Sequence, residues 1–280
     1  MAERSRRRPR RLPLLLLAAL SALWGLPAAG QPPPPGQGVA LEWLSWSHFR
    51  LTSLAGRVIL INPFVTNPDS PVPLEAMTRA DIILVSDGHR DEVGSAPEIA
   101  LRTGARIMAA RELAMGLLRA RGVPEDQLVL AQPGFVFRLE GIKVRVVQAV
   151  HGSGVAEHAP GLPYGGPALG FLITFENNLT VYFAGSTALT TDLALFGSLY
   201  KPDVVILPLH PRTEAHDIAQ MVRLLSTENP NLRLVIPHHH RLRPEPGSPT
   251  VADLAAEVRA LGFAVPVLEP ALGQAYHLAK

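Results

Sequence analysis

The stretch that decides the fold spans positions 81–94 and reads Asp81-Ile-Ile-Leu-Val-Ser-Asp87-Gly-His89-Arg-Asp91-Glu92-Val-Gly94. Its apolar part, residues 82–85, has the length and β-branched content of a buried strand, and a polar turn with glycine follows it directly. Four side chains that can bind a metal ion, Asp87, His89, Asp91 and Glu92, lie within six positions. Because α/β proteins keep their sites at the carboxyl ends of strands, this turn is the first candidate site.

The alternation of strands and helices continues on both sides of this stretch. Helices are predicted at residues 95–102, 111–121, 189–199, 213–225 and 251–261. Hydrophobic runs predict further strands at residues 41–46, 48–54, 57–61, 105–109, 135–139, 142–149, 169–175, 179–183, 204–207, 232–236 and 264–268. Both halves of the chain run from antiparallel hairpins into α/β alternation. This order predicts two sheets packed face to face, with helices outside and ligands at the seam.

Composition indicates a globular protein without a nucleic-acid partner. The 280 residues are 47% hydrophobic, which is ample for a core. The net charge of +2 is misleading, because six arginines and one glutamate give the first eleven residues a charge of +5 and leave −3 for the remainder. A mildly acidic body gives no argument for binding nucleic acid. The chain has no cysteine, so disulfides and thiolate metal sites are excluded.

The N-terminal segment predicts export. Arginines precede an apolar stretch, residues 12–26, which ends in small residues, as in a signal peptide of residues 1–30. Residues 31–38 contain four consecutive prolines and form a predicted stiff linker, after which residues 39–280 make up the folded domain. The mature protein is then periplasmic or secreted, with no membrane attachment after cleavage. An uncleaved signal anchor is the alternative.

Several later motifs join the first one in a recognisable order. His151 ends a predicted strand, Ser186 follows Tyr182-Phe-Ala-Gly, and His239 lies within Val235-Ile-Pro-His-His-His240. With Asp87-x-His89-x-Asp91-Glu92, this series resembles the H-x-H-x-D-H signature and later ligands of the metallo-β-lactamase superfamily. The likeness is greatest to its small metal-dependent hydrolase branch, which is similar to ascorbate-6-phosphate lactonase. The resemblance implies an α/β (α+β) fold, the four-layer αββα sandwich of the metallo-β-lactamase type.

The resemblance also implies the metal ligands, and here the chain departs from the family. One metal position maps to Asp87, His89 and His151, and a second maps to Asp91, Glu92 and His239. The family has histidine at the positions of Asp87 and Glu92. Three further departures from the family are Ser186 in place of a bridging aspartate, Trp46 in place of a histidine and Asn62 in place of an aspartate. Without the bridging aspartate, one divalent ion is favoured over two. The carboxylates that replace two histidines allow manganese or iron as well as zinc.

Two functions follow from this reading. The first is a hydrolase that uses a metal-activated water on a small lactone, ester or phosphoester, with Asp91 as the catalytic residue. The second is an inactive relative that binds a small ligand or a partner, because Trp46 could fill part of the cleft. Taken singly, His89 and His151 would be structural, and Asp91 and Glu92 would favour a helix N-terminus. The sequence does not determine the oligomeric state.

Overall fold

The computed structural model describes residues 38–139, 141–155 and 163–280. The signal peptide at residues 1–30 and the linker up to residue 37 lie outside these ranges, so both stay predictions. None of the described helices is long and apolar enough to cross a membrane.

The first sheet has seven strands in the order β13-β1-β2-β3-β4-β5-β6. In this order, neighbouring strands pair antiparallel from β13 to β3. From β3 to β6 they pair parallel. The strands are β1 Val39–Trp43, β2 Phe49–Thr52, β3 Val58–Ile61, β4 Ile82–Leu84, β5 Arg106–Ala110, β6 Leu128–Ala131 and β13 Ala275–Leu278. The strand of the deciding stretch, β4, therefore lies inside the sheet, which is why its residues are continuously apolar.

The second sheet has six strands in the order β12-β11-β10-β9-β8-β7. Here β7 to β10 are antiparallel and β10 to β12 are parallel. The strands are β7 Val136–Leu139, β8 Ile142–Gln148, β9 Leu169–Thr174, β10 Thr180–Phe183, β11 Val204–Pro208 and β12 Leu234–His238. Both sheets thus change from antiparallel to parallel pairing, as the sequence predicts.

The helices pack against the outer faces of the two sheets, apart from a single turn after β4 that carries Asp91 and Glu92. They are α1 Arg90–Val93, α2 Ala96–Thr103, α3 Arg111–Leu113 continued by a π-helical turn Ala114–Leu118, α4 Asp192–Tyr200, α5 Ala215–Leu225 and α6 Val251–Ala260, with 3-10 turns at Leu74–Ala76 and Glu125–Gln127. One apolar core joins β1–β5 to β8–β12 and reaches α2 and α3. A second core lies between the second sheet and α4–α6. The predicted four-layer sandwich is confirmed.

The predicted strand at residues 264–268 is wrong. This segment makes only one isolated bridge, in which Val267 pairs with Val235. Pro266 has no N–H to donate and can only accept from Val235, so the pairing does not extend into a ladder. The last strand is β13, which returns to the first sheet and pairs antiparallel with β1.

His48 is a buried neutral histidine in the turn between β1 and β2. Its side chain is fully buried, and neither ring nitrogen has a hydrogen-bond partner among the described residues. Burial, helped by the charge of Arg50, lowers the pKa of His48 from 6.5 to about 3. The unfolded chain therefore takes up a proton below pH 6.5 that the folded protein cannot accept, so stability falls as the pH falls toward 3.

His48→Leu should remove this acid-sensitive contribution. Leucine has a similar volume and no unpaired polar atoms, so we expect the free energy of unfolding at pH 5 to rise by about 2 kcal/mol relative to the parent. The gain should be smaller at pH 7.5. Urea denaturation at both pH values measures it. His277→Leu, at an exposed histidine of β13, is the control, because it replaces histidine by leucine without relieving the burial of a polar ring. Equal gains at both pH values for His48→Leu would contradict the expectation.

Candidate metal centre

The first predicted ligands lie directly after β4. Asp87 is buried, and its Oδ1 atom accepts hydrogen bonds from the backbone N–H and from Nδ1 of His89, each at 3.0 Å. This contact fixes the orientation of the imidazole and leaves its Nε2 atom available. Asn62 holds the strand end in place, because its side chain bonds the backbone N–H and the hydroxyl of Ser86, both at 2.9 Å.

His151 follows β8 and completes a group with these two residues. Its ring lies edge-on to the ring of His89, with 5.1 Å between the ring centroids. One potential ligand atom from each of Asp87, His89 and His151 lies within 4.8 Å of the others. His151 is exposed, so this group opens toward solvent on one side. We call it the outer triad.

Asp91, Glu92 and His239 form a second, more buried group, the inner triad. Their potential ligand atoms also lie within 4.8 Å of one another. His239 Nε2 is 3.0 Å from Glu92 Oε1 and 3.5 Å from Asp91 Oδ2. His239 follows β12 with φ of 61°, a left-handed conformation that a residue other than glycine rarely adopts. This conformation turns its ring toward α1, which carries both carboxylates.

The charges of the two triads are strongly coupled. The hydrogen bond from His89 to Asp87 raises the pKa of His89 to about 9. Burial lowers the pKa of His239, but its hydrogen bonds to Asp91 and Glu92 outweigh burial and raise the pKa to about 9. Burial raises the pKa of Asp91, yet His239 holds it well below its usual range. Full burial, together with the charge of Asp87, raises the pKa of Glu92.

Two residues that depart from the family pattern contact the inner triad. The indole Nε1 of Trp46 donates a hydrogen bond of 2.6 Å to Asp91 Oδ2, and the ring lies 4.8 Å from that of His239. The hydroxyl of Ser186 donates to Glu92 Oε1 at 3.3 Å. One oxygen of each carboxylate in the inner triad, Asp91 Oδ2 and Glu92 Oε1, therefore already accepts from a protein donor.

A cleft of about 390 Å³ connects the triads to solvent. Its walls include His210, Arg212 and Thr213, which follow β11 and which the sequence reading did not assign to the site. The sequence could have predicted these three residues, because they follow the carboxyl end of a buried parallel strand, where sites of α/β proteins lie. Arg212 is the cation among these wall residues.

The outer triad fits a divalent ion by the chemistry of its donors. One carboxylate and two imidazoles are ligands that zinc, manganese and iron all accept, and the ligand atoms of one ion lie about 3–4 Å apart. Three carboxylates crowded together also favour nearby cations, and without a metal ion the protonated rings of His89 and His239 fill that role. Arg90 does not fill that role, because its guanidinium lies over the ring of Phe64 at 5.8 Å. The six predicted ligands are thus brought together, and their binding of an ion stays a prediction.

Comparison with known proteins identifies the family. Residues 40–239 match the beta-lactamase superfamily domain. A UPF0173 metal-dependent hydrolase of Rubrobacter xylanophilus is 34% identical over 237 residues, which cover 83% of this chain and 95% of that protein. A second one, of Cupriavidus necator, is 33% identical over 290 residues and covers 94% of this chain and 98% of that protein.

A solved structure supports the same assignment. Igni18, a novel metallo hydrolase from the hyperthermophilic archaeon Ignicoccus hospitalis, is 26% identical to this chain with a TM-score of 0.70. The likeness covers 86% of this chain and 99% of that one. The chain therefore belongs to the beta-lactamase superfamily, within the UPF0173 metal-dependent hydrolases.

Proposed function

We propose that this protein is an exported hydrolase that cleaves a lactone, ester or phosphoester bond of a small molecule with one divalent ion, zinc, manganese or iron. The observation that carries the proposal is the position of the outer triad beside Asp91 in a cleft of about 390 Å³. That volume suits a small substrate. When bound, the ion supplies Lewis-acid activation of water and of the scissile bond.

The outer triad is the better place for a single ion. His89 is oriented by Asp87 and directs its second nitrogen outward, and His151 is exposed beside it. In the inner triad, by contrast, Trp46 and Ser186 donate to one oxygen each of Asp91 and Glu92, and His239 Nε2 faces the same two oxygens. Asp87, His89 and His151 would therefore hold the ion, while Asp91 and Glu92 remain protein-bonded carboxyl groups.

Asp91 then has a positioning task at the reacting bond. Its low pKa keeps it ionised, so it accepts a hydrogen bond from the attacking water and orients it, rather than storing the proton. Trp46 and His239 hold the carboxylate in place. Arg212, which lines the same cleft, can attract an anionic group of the substrate or of the product acid.

A second candidate is a ligand-binding relative without catalysis. The observation in its favour is the indole of Trp46, which packs against the ring of His239. The indole N–H also donates a hydrogen bond to Asp91 Oδ2, which is then less available to a metal ion. In that case the histidines keep their hydrogen bonds to carboxylates and no ion is required. The two candidates differ in metal content.

Elemental analysis of the protein, purified without added metal or chelator, separates them. The hydrolase proposal predicts about one transition ion per chain, together with turnover in a screen of lactones, esters and phosphoesters that a chelator abolishes. A protein that contains no metal and binds neither zinc, manganese nor iron in titration would support the ligand-binding candidate. The intact mass of the same preparation from an exporting host tests cleavage after Gly30.

A further inference from the structure

A basic groove lies at the other end of the second sheet from the metal centre. It has a volume of about 510 Å³, and its walls include Lys143, Arg145, Tyr200, Lys201 and Asn231. Lys201 and Asn231 precede β11 and β12, whereas the metal centre follows the carboxyl ends of these strands. The groove is therefore a separate site.

The groove exists because helix α4 does not cover the whole outer face of the sheet. Lys143 and Arg145 lie two positions apart on β8 and so point to the same face. Arg145 pairs with Leu172 of β9, which belongs to the core beneath the helices. Helix α4 ends at Tyr200, so the basic side chains of β8 emerge beyond its last turn.

The charges of this face repel one another. Arg138 of β7 stands directly opposite Lys143 in the strand register, and like charges at such positions are destabilising. Within residues 38–139, 141–155 and 163–280, neither these two residues nor Lys201 has an ion-pair partner. Arg145 lies 4.6 Å over the ring of Tyr200. A sheet face selected for stability alone would alternate charges, particularly in a body whose net charge is −3.

We propose that this groove binds an anion that carries two or more phosphate groups. Lys143, Arg145 and Lys201 supply the positive charge, and Arg138 extends it along the sheet. The side chains of Thr174 and Asn178 line the same groove and offer hydrogen-bond donors. Tyr200 provides an aromatic wall that already holds Arg145 in place. The anion neutralises the repulsion among the cations, which is the source of its affinity.

Calorimetric titration with sodium tripolyphosphate at low ionic strength tests the proposal. Lys143→Gln with Arg145→Gln should weaken binding by about tenfold or more, because two charge-assisted contacts are lost. Arg111→Gln with Arg259→Gln removes the same charge from exposed arginines elsewhere and should bind as the parent does. The titration is repeated in His151→Ala, which should also bind normally, since the metal centre is a separate site.

Vesicles of phosphatidylglycerol, compared with phosphatidylcholine, distinguish a lipid phosphate from a soluble one. Each phosphatidylglycerol molecule carries a single phosphate, so vesicle binding that is lost in the Lys143/Arg145 variant, without binding of tripolyphosphate, would overturn the proposal and assign the groove to a membrane surface. The absence of binding to both probes would overturn the proposal. Equal binding by the parent, the groove variant and the control variant would overturn it as well.

Discussion

His151→Ala should remove both the bound metal and the hydrolytic activity. The change deletes one of the two imidazoles of the outer triad, and the remaining Asp87 and His89 are too few to hold an ion against water. We expect kcat/KM to fall by about a thousandfold or more and the metal content to fall to near zero. Elemental analysis and steady-state kinetics on the same preparation measure both.

The fold should survive this change, because His151 is exposed and lies after the end of β8 rather than within it. His277→Ala, at an exposed histidine of β13, is the matched control and should keep full metal content and activity. Unchanged circular dichroism in both variants separates loss of the site from loss of the fold. Activity that persists in His151→Ala would show that the outer triad is not the reaction centre.

Trp46→His combined with Ser186→Asp should convert the protein from one bound ion to about two per chain. Trp46 donates its indole N–H to Asp91 Oδ2, and Ser186 offers Glu92 only a neutral hydroxyl. Histidine would release that oxygen and add a ligand nitrogen, and aspartate would add a carboxylate able to bridge two ions. Titration with zinc or manganese, followed by elemental analysis, gives the stoichiometry.

The same double variant should depend on metal for stability. Asp at position 186 places a fourth carboxylate beside Asp87, Asp91 and Glu92, so without metal we expect a lower Tm, restored when metal is added. Trp46→Phe is the control, because it removes the indole hydrogen bond without supplying a ligand and should stay at about one ion. A double variant that still holds one ion would show that other residues limit the inner triad.

Backbone strain at the metal centre is consistent with a functional site. Ser45, Trp46, Asn62 and His239 all have positive φ, although none is glycine. Each such residue costs of order 1–3 kcal/mol and persists only where surrounding contacts compensate. Trp46 and His239 support each other directly, because the backbone N–H of His239 donates to the carbonyl of Trp46 at 3.2 Å.

The sequence alone predicted the elements that depend on local pattern. The apolar run before Asp87 forms strand β4, as predicted. Hairpins form where a short turn joins two segments rich in β-forming residues, as at residues 175–179. The rule that sites follow the ends of buried strands predicted Asp87, His89 and His151 as candidate ligands, and the structure brings these three residues together. Their order along the chain also carried the family resemblance. All of these signals act over a few residues, so periodicity and turn chemistry suffice to read them.

Tertiary structure decided what depends on residues distant in the chain. The segment that pairs with β1 is β13, which comes from the opposite end of the domain. The earlier apolar run at residues 264–268 lies beside β12 of the second sheet, where Pro266 helps to limit it to one bridge. The hydrogen bond between Trp46 and Asp91 joins residues 45 positions apart, and no local pattern encodes it. The site's electrostatics likewise follow from burial and from neighbours contributed by both sheets. The sequence alone predicted the candidate ligands and their order, whereas packing determined which of their atoms meet and which remain free to bind an ion.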